Sequence, residues 1–257
     1  MNFYVMTLFP EMIEAVSAGS ILGRAEKKGV ISVKAVNFRD FTEDRHHTVD
    51  DYPYGGGAGM LIKPEPIYKC YQSIAETIGK SVRVVYLTPK GERFTDAKAR
   101  ELAGEEDLIL LAGHYEGIDE RVIDRIVTDR ISIGDYVLTG GELASLVVID
   151  AVSRKVAGVL SEGSLDDESF SNGLLEYPQY TRPEVFMGES VPEILLSGHH
   201  ENVEKWRREQ SIAETLKYRP DLLATADLTP KERKYLAALQ AEKEEDDAAR
   251  QTERSCE

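Results

Sequence analysis

Cysteine is nearly missing from this chain: there are two in 257 residues, Cys70 and Cys256, far apart and without metal-ligand spacing. No disulfide and no zinc site are expected, and the usage fits a reducing, cytoplasmic setting. Long apolar runs are missing too. The first eleven residues carry no basic leader and their apolar run breaks at Pro10, so neither a signal peptide nor a membrane span is expected. Positive charge is in short supply, with 31 Lys and Arg against 46 Asp and Glu and a formal net charge of −15. Taken alone, that balance argues against a nucleic-acid partner, because neutralising phosphates needs clustered cations. Part of the negative charge falls in residues 241–247, read as solvated tail with no bearing on a site elsewhere. The usual nucleotide-binding signatures are absent as well: Tyr54-Gly-Gly-Gly-Ala-Gly-Met60 fits neither G-x-G-x-x-G nor G-x-x-x-x-G-K-[ST]. There is no internal repeat.

With 42% hydrophobic and 30% charged residues, the chain can bury a core in one large domain or in a core domain plus a smaller one. Residues 3–9 read as a buried strand, 11–28 as one amphipathic helix closed by Gly29, and 31–38 as a second strand. A polar, glycine-rich stretch over 39–60 precedes a helix opened by Pro64-Glu-Pro66 and running to about Ile78. Strands over 82–87 and 108–112 flank a helix over 95–102. A further strand lies within 122–133, and a helix over 141–156 closes the unit. This alternation predicts an α/β fold with a largely parallel sheet. Composition turns polar over 161–169, a linker or mobile lid. Helical spacing follows over 201–217, and Thr229-Pro-Lys-Glu232 reads as a capping box for a last helix. The expected layout is an α/β domain over 1–160, a flexible linker over 161–175, a helical domain over 176–245 and a disordered acidic tail over 246–257.

Three strand ends run into loops that carry glycine. In residues 130–142 Ile131 and Ile133 alternate, Gly134 ends the strand, and Gly140-Gly141 lead into a helix. Upstream, the run 108–112 stops at Gly113, followed by His114-Tyr115-Glu116-Gly117. Open α/β sheets bind ligands outside the carboxyl ends of their strands, so a site is expected there. Residues 86–91 make an ordinary turn alone. With the other two loops they suit backbone recognition of a flat heterocycle such as adenine. Two readings stay open for the 54–60 loop, a structural turn or a ligand or subunit contact. His46 and His47 read as surface residues rather than metal ligands, or with Arg39 and Arg45 as a weakly basic loop. Asp166-Asp167-Glu168 is either a solvated charge run or a carboxylate on a moving segment, able to accept a proton. Arg154 is either a surface ion-pair residue or a guanidinium that steadies a developing oxyanion.

Four strings, 54–60 with Lys63-Pro-Glu-Pro66, Gly113-His-Tyr-Glu-Gly-Ile-Asp119, Ser132-Ile-Gly-Asp-Tyr-Val-Leu138 with Gly140-Gly-Glu142, and Tyr180-Thr-Arg-Pro183, occur in order and at consistent spacing. Together they closely resemble the bacterial tRNA (guanine-N1-)-methyltransferases, from Phe3 to about Leu239. The resemblance implies a SPOUT-type parallel sheet with a deep trefoil knot, a small all-helical C-terminal domain that binds tRNA, and a homodimer with its active site at the subunit interface. It implies S-adenosyl-L-methionine as methyl donor and the guanosine immediately 3′ of the tRNA anticodon as acceptor. Carried over, the donor site is Tyr86, Leu87, Gly113, Ile133, Gly134, Asp135, Tyr136, Val137, Leu138, Gly140 and Gly141. The family places its base, an aspartate, just before Ser-Phe. Here that position is Glu168, with Asp167 one residue earlier, so the implied catalytic set is Glu168, Arg154, Glu116 and Asp167. Magnesium is a family expectation for which the sequence shows no ligand cluster. Alternatives are a tRNA-binding homologue weakened at Glu168, a SPOUT enzyme for another RNA position, and a small-molecule methyltransferase, which suits the acidity. Lys205, Arg207, Arg208, Lys217 and Arg219 are the candidate RNA contacts, and interspersed Glu201, Glu204, Glu209 and Glu214 equally suit a salt-bridged helix face.

Overall fold

The computed structural model describes residues 1–161, 163 and 167–254. The chain divides into two compact units, Met1–Ser161 and Glu162–Glu257. In order, the first contains β1 (Asn2–Thr7), α1 (Pro10–Ser17), α2 (Ser20–Lys27), β2 (Ser32–Asn37), the short β3 (Asp50–Asp51) and β4 (Leu61–Ile62), and α3 (Pro64–Ile78). It continues with β5 (Arg83–Arg93), α4 (Asp96–Leu102), β6 (Asp107–Ala112), α5 (Glu120–Ile126), β7 (Asp129–Ser132) and α6 (Glu142–Ser153). Five strands form one sheet in the order β2-β1-β6-β5-β7, and every neighbouring pair is parallel. Because side chains alternate along a strand, the central strands feed two cores at once. Phe3, Val5, Leu108, Leu110 and Val85 pack with residues of α1, α2, α4 and α6. Tyr4, Met6, Ile109, Leu111 and Val84 pack with residues of α3 and α5. Burial on both faces is why these strands read as unbroken apolar runs.

Two expectations about elements need correction. The single helix over 11–28 is two helices, because the chain turns at Ala18-Gly19-Ser20, where Ser20 has φ +51°. Gly23 makes that turn possible, since a Cβ there would lie 2.0 Å from the Ala18 carbonyl oxygen. The strand expected within 122–133 is β7, and α5 precedes it. Asp119 caps α5 by accepting from the Arg121 N–H, and Val122, Ile123 and Ile126 bury one helical face. Strand β5 does not stop at Leu87. Both Leu87 and Glu92 pair with Ile131, so Thr88-Pro89-Lys90-Gly91 bulge out and the strand resumes. Pro89 has no N–H to lose in such a bulge, and a Cβ at Gly91 would lie 2.3 Å from the Ile131 nitrogen.

The second unit contains β8 (Val185–Phe186) and β9 (Glu189–Ser190), then α7 (Glu193–Leu196), α8 (His200–Tyr218) and α9 (Pro230–Arg254). It is therefore not built from helices alone. The hairpin turns at Met187 and Gly188, with φ +52° and +91°, the backbone that a tight two-residue connection requires. Leu174, Ile212, Ala226 and Leu228 form its core. The capping box at α9 is reciprocal: Thr229 N–H donates to Glu232 Oε2 at 2.7 Å and Glu232 N–H to Thr229 Oγ1 at 3.3 Å. With no Gly or Pro after Pro230, α9 continues to Arg254, across part of the segment read as a tail. Among the described residues no helix is long and apolar enough to cross a membrane. Cys70 is buried, and burial pushes its thiol up to about 12; Cys256 lies outside the described residues.

Candidate active site

Parallel pairing puts the carboxyl ends of β6, β5 and β7 side by side, and a cavity of about 540 Å³ opens there. Its walls include Tyr86 and Leu87 from β5, Gly113 and Glu116 after β6, Ile133, Gly134, Tyr136, Val137 and Leu138 after β7, and Gly140 and Gly141 before α6. These are the residues singled out from the sequence, with one exception. Asp135 is not in the wall: its side chain is 92% exposed and sits 3.5 Å from Arg93. Asp135 is the middle residue of a tight turn closed by the Tyr136 N–H donating to the Gly134 carbonyl at 3.0 Å.

Glycine is required at two places in this wall for different reasons. At Gly134, φ is +155° and a Cβ would lie 2.4 Å from the Tyr136 ring, which lies over it. At Gly141 the backbone is ordinary, but a Cβ would lie 2.7 Å from Ala112 Cα. That closeness lets the Gly141 N–H donate to the Gly113 carbonyl at 2.8 Å, locking the start of α6 to the end of β6. Ser132 ties the β7 loop to itself: its hydroxyl donates to the Gly134 carbonyl at 3.1 Å and accepts from the Gly134 N–H at 3.2 Å.

Sequence reasoning missed several wall residues. Lys90 is brought in by the β5 bulge; His114 and Tyr115 were legible only as neighbours of Gly113; Glu120 and Arg130 carried no signal at all. Arg130 donates to Glu120 at 2.8 Å and to Asp124 at 2.9 Å. Burial, then the Glu120 charge, raise the Tyr86 phenol above its ordinary range, and Arg130 opposes the shift. The glycine-rich 54–60 loop reaches the rim: a Cβ at Gly59 would lie 2.3 Å from Glu116 Cγ, and the Glu116 N–H donates to the Met60 carbonyl at 3.0 Å. His46 and His47 belong to a surface turn around Asp44, and the His47 Nδ1 is 3.0 Å from the Thr42 hydroxyl. Among the described residues no group of three or more His, Cys, Asp or Glu is arranged to hold a metal.

The remaining candidates lie outside the cavity wall. Arg154 caps the C-terminus of α6, its N–H bonded to the Asp150 carbonyl at 3.1 Å. Asp167 and Glu168 belong to the second unit; Asp166 lies outside the described residues. The described part of the expected linker is a folded turn. Phe170 N–H donates to the Leu174 carbonyl at 2.7 Å, Leu175 N–H to Thr215 Oγ1 at 2.9 Å, and Leu174 is fully buried. The Tyr177 hydroxyl donates to Asp167 at 3.4 Å, and the Arg207 guanidinium lies 4.9 Å from the Tyr177 ring centre.

Fold and cavity define an α/β protein with a glycine-rich cavity at the carboxyl edge of a parallel sheet. A family model described as tRNA (Guanine-1)-methyltransferase TrmD matches residues 1–225, and the chain belongs to this family. It is 60% identical to the tRNA (guanine-N(1)-)-methyltransferase of Lachnospira eligens, over 86% of this chain and 94% of that one. The enzyme of the same description from Lachnoclostridium phytofermentans is 52% identical, over 93% and 97%, and that from Halalkalibacterium halodurans 51%, over 95% and 100%.

Proposed function

We propose that this protein moves the methyl group of S-adenosyl-L-methionine to N1 of the guanosine immediately 3′ of the tRNA anticodon. The observation that carries this reading is the cavity: ten of the eleven donor-site positions implied by the family strings meet around it. Its volume lies within the range of small-molecule sites, and its glycine-rich lip exposes backbone donors and acceptors suited to adenine. Guanine N1 carries a proton at neutral pH. Glu168 takes that proton, the freed N1 lone pair attacks the methyl carbon, and the carbon–sulfur pair stays on sulfur as a neutral thioether. Glu168 is preferred to Asp167 because it holds the position just before Ser169-Phe170, where the family places its base. The Arg154 guanidinium meets the negative charge that grows on the guanine carbonyl oxygen, and Glu116 supplies an acidic group at the rim. Magnesium finds no fitting ligand group among the described residues.

The family's SPOUT architecture extends this reading. That architecture includes a knotted passage of the chain within the first unit. A homodimer with shared active sites is supported by an apolar strip on neighbouring helices, Met12 and Val16 of α1 with Leu143 and Val147 of α6, all exposed. The second unit is assigned to tRNA binding. Of its five candidate RNA-contacting cations three are ion-paired, Lys205 with Glu209, Arg208 with Glu232 and Arg219 with Asp221. The Lys205 and Arg219 pairs are exposed and worth about 0–1 kcal/mol, so phosphates can displace those two partners. The cytoplasm, where tRNA is available, is the working compartment.

The test is methyl incorporation from labelled S-adenosyl-L-methionine into two tRNA transcripts that differ only at the guanosine beside the anticodon. Labelling is expected only where guanosine is present. Equal labelling of both, or of neither, overturns the assignment.

A further inference from the structure

Three polar groups meet where β1, the loop after β6 and the start of α6 converge, and the chemistry above uses none of them. Thr7, the last residue of β1, is fully buried, and its hydroxyl donates to Glu142 Oε1 at 2.7 Å. Glu142 stands in the first turn of α6 and is only 2% exposed. The positive end of the helix favours a carboxylate there, yet a buried carboxylate calls for more than one donor. A candidate lies close by. A Cβ at Gly140 would fall 2.3 Å from Glu142 Oε2 and 2.6 Å from His114 Nδ1. The two atoms therefore share one small space that only glycine leaves open. His114 Nδ1 is itself buried and finds no hydrogen-bond partner among the described residues. Its ring packs on Phe9 at 4.9 Å and on Tyr115 at 5.1 Å, and the residue forms part of the cavity wall.

We propose that Glu142, oriented by Thr7, accepts the Nδ1 proton of His114, and that this pair positions the cavity wall, with Gly140 kept bare to admit it. Both are positioning residues, one acting through the other. A proton held on Nδ1 leaves Nε2 as an acceptor, so the wall at His114 favours ligand O–H or N–H groups over ligand acceptors. The inference rests on reading the cavity as the pocket for S-adenosyl-L-methionine.

Nitrogen-15 spectra of the histidine rings, with His114 assigned by its loss in His114→Asn, read the proton position directly. The wild-type ring is expected to carry its proton on Nδ1. Glu142→Ala is expected to shift that signature and to weaken S-adenosyl-L-methionine binding, measured by calorimetry, about tenfold. Glu142→Gln, whose amide oxygen still accepts, should recover most of the loss. The double variant His114→Asn/Glu142→Ala should bind no more weakly than the worse single one. An unchanged ring signature in Glu142→Ala, or losses that multiply in the double variant, overturns the pair. If Glu142→Ala does not fold, Gly140→Ala keeps both partners but forces them apart, and the same two readouts apply to it. Failure of wild-type protein to bind S-adenosyl-L-methionine counts instead against the reading of the cavity.

Discussion

The cavity wall and the turn that carries Asp167 and Glu168 are built on opposite principles. The wall belongs to a parallel sheet buried on both faces, and backbone bonds such as Gly141 to Gly113 hold it. Its shape follows from where strands end and where side chains are absent. The turn hangs on one buried leucine, Leu174, and a few bonds to α8 and to itself. Recognition of a rigid heterocycle needs a rigid wall, whereas a base has only to reach its proton when the substrate is in place. On the proposed reading, the difference teaches that single substitutions should separate binding from proton transfer.

The largest effect is expected at the turn. Glu168→Ala should lower turnover by roughly 10²–10⁴-fold while calorimetric binding of S-adenosyl-L-methionine stays near wild type; if Asp167→Ala produces that loss instead, the base is Asp167. Arg154→Ala should follow, with single-turnover rates down by about 10²–10³-fold and donor binding retained. A loss of donor binding in step with rate would show that the two functions are not separate. Leu174→Ala removes the turn's anchor and should destabilise the second unit by about 2–5 kcal/mol in urea unfolding, and wild-type stability would show the turn to be held elsewhere. Gly141→Ala attacks the wall instead. It should cost about 1–3 kcal/mol of stability and reduce donor affinity more than the rate of bound enzyme.

The smallest effect concerns the amino ends of β5 and β7, away from the cavity. A hydrogen bond from Arg83, reinforced by its charge, holds the Asp129 carboxyl below its ordinary range. A folded-state value below the unfolded one, near 3.9, makes this contribution complete above that value. It is lost as pH falls through the folded value. Asp129→Asn should therefore be less stable than wild type at pH 7, with the gap narrowing as the pH drops below about 4. A gap independent of pH would show that the pair matters only for packing.

Much of this was legible in advance. Helix α3 begins at the Pro64 expected of it, and Thr95 and Thr229 cap the helices whose starts they signal. The glycine loops after β6 and β7 do form one cavity. What failed has a common cause, since local pattern carries no information about contact across the chain. The split between α1 and α2 depends on Gly23 meeting Ala18, and the β5 bulge depends on Gly91 meeting Ile131. Asp135 was included by its place in a string and excluded by the direction of its side chain.

The order of residues by itself determined which segments are strand or helix, which loops lack side chains, and which carboxylates and guanidinium are candidates for the chemistry, because these follow from short-range periodicity and residue type. Only the tertiary structure decided that Tyr86, Gly113, Ile133 and Gly141 face one space and that Thr7, Glu142 and His114 converge behind it. Parallel pairing brings strand ends together that are dozens of residues apart in the chain, and no local preference encodes that meeting.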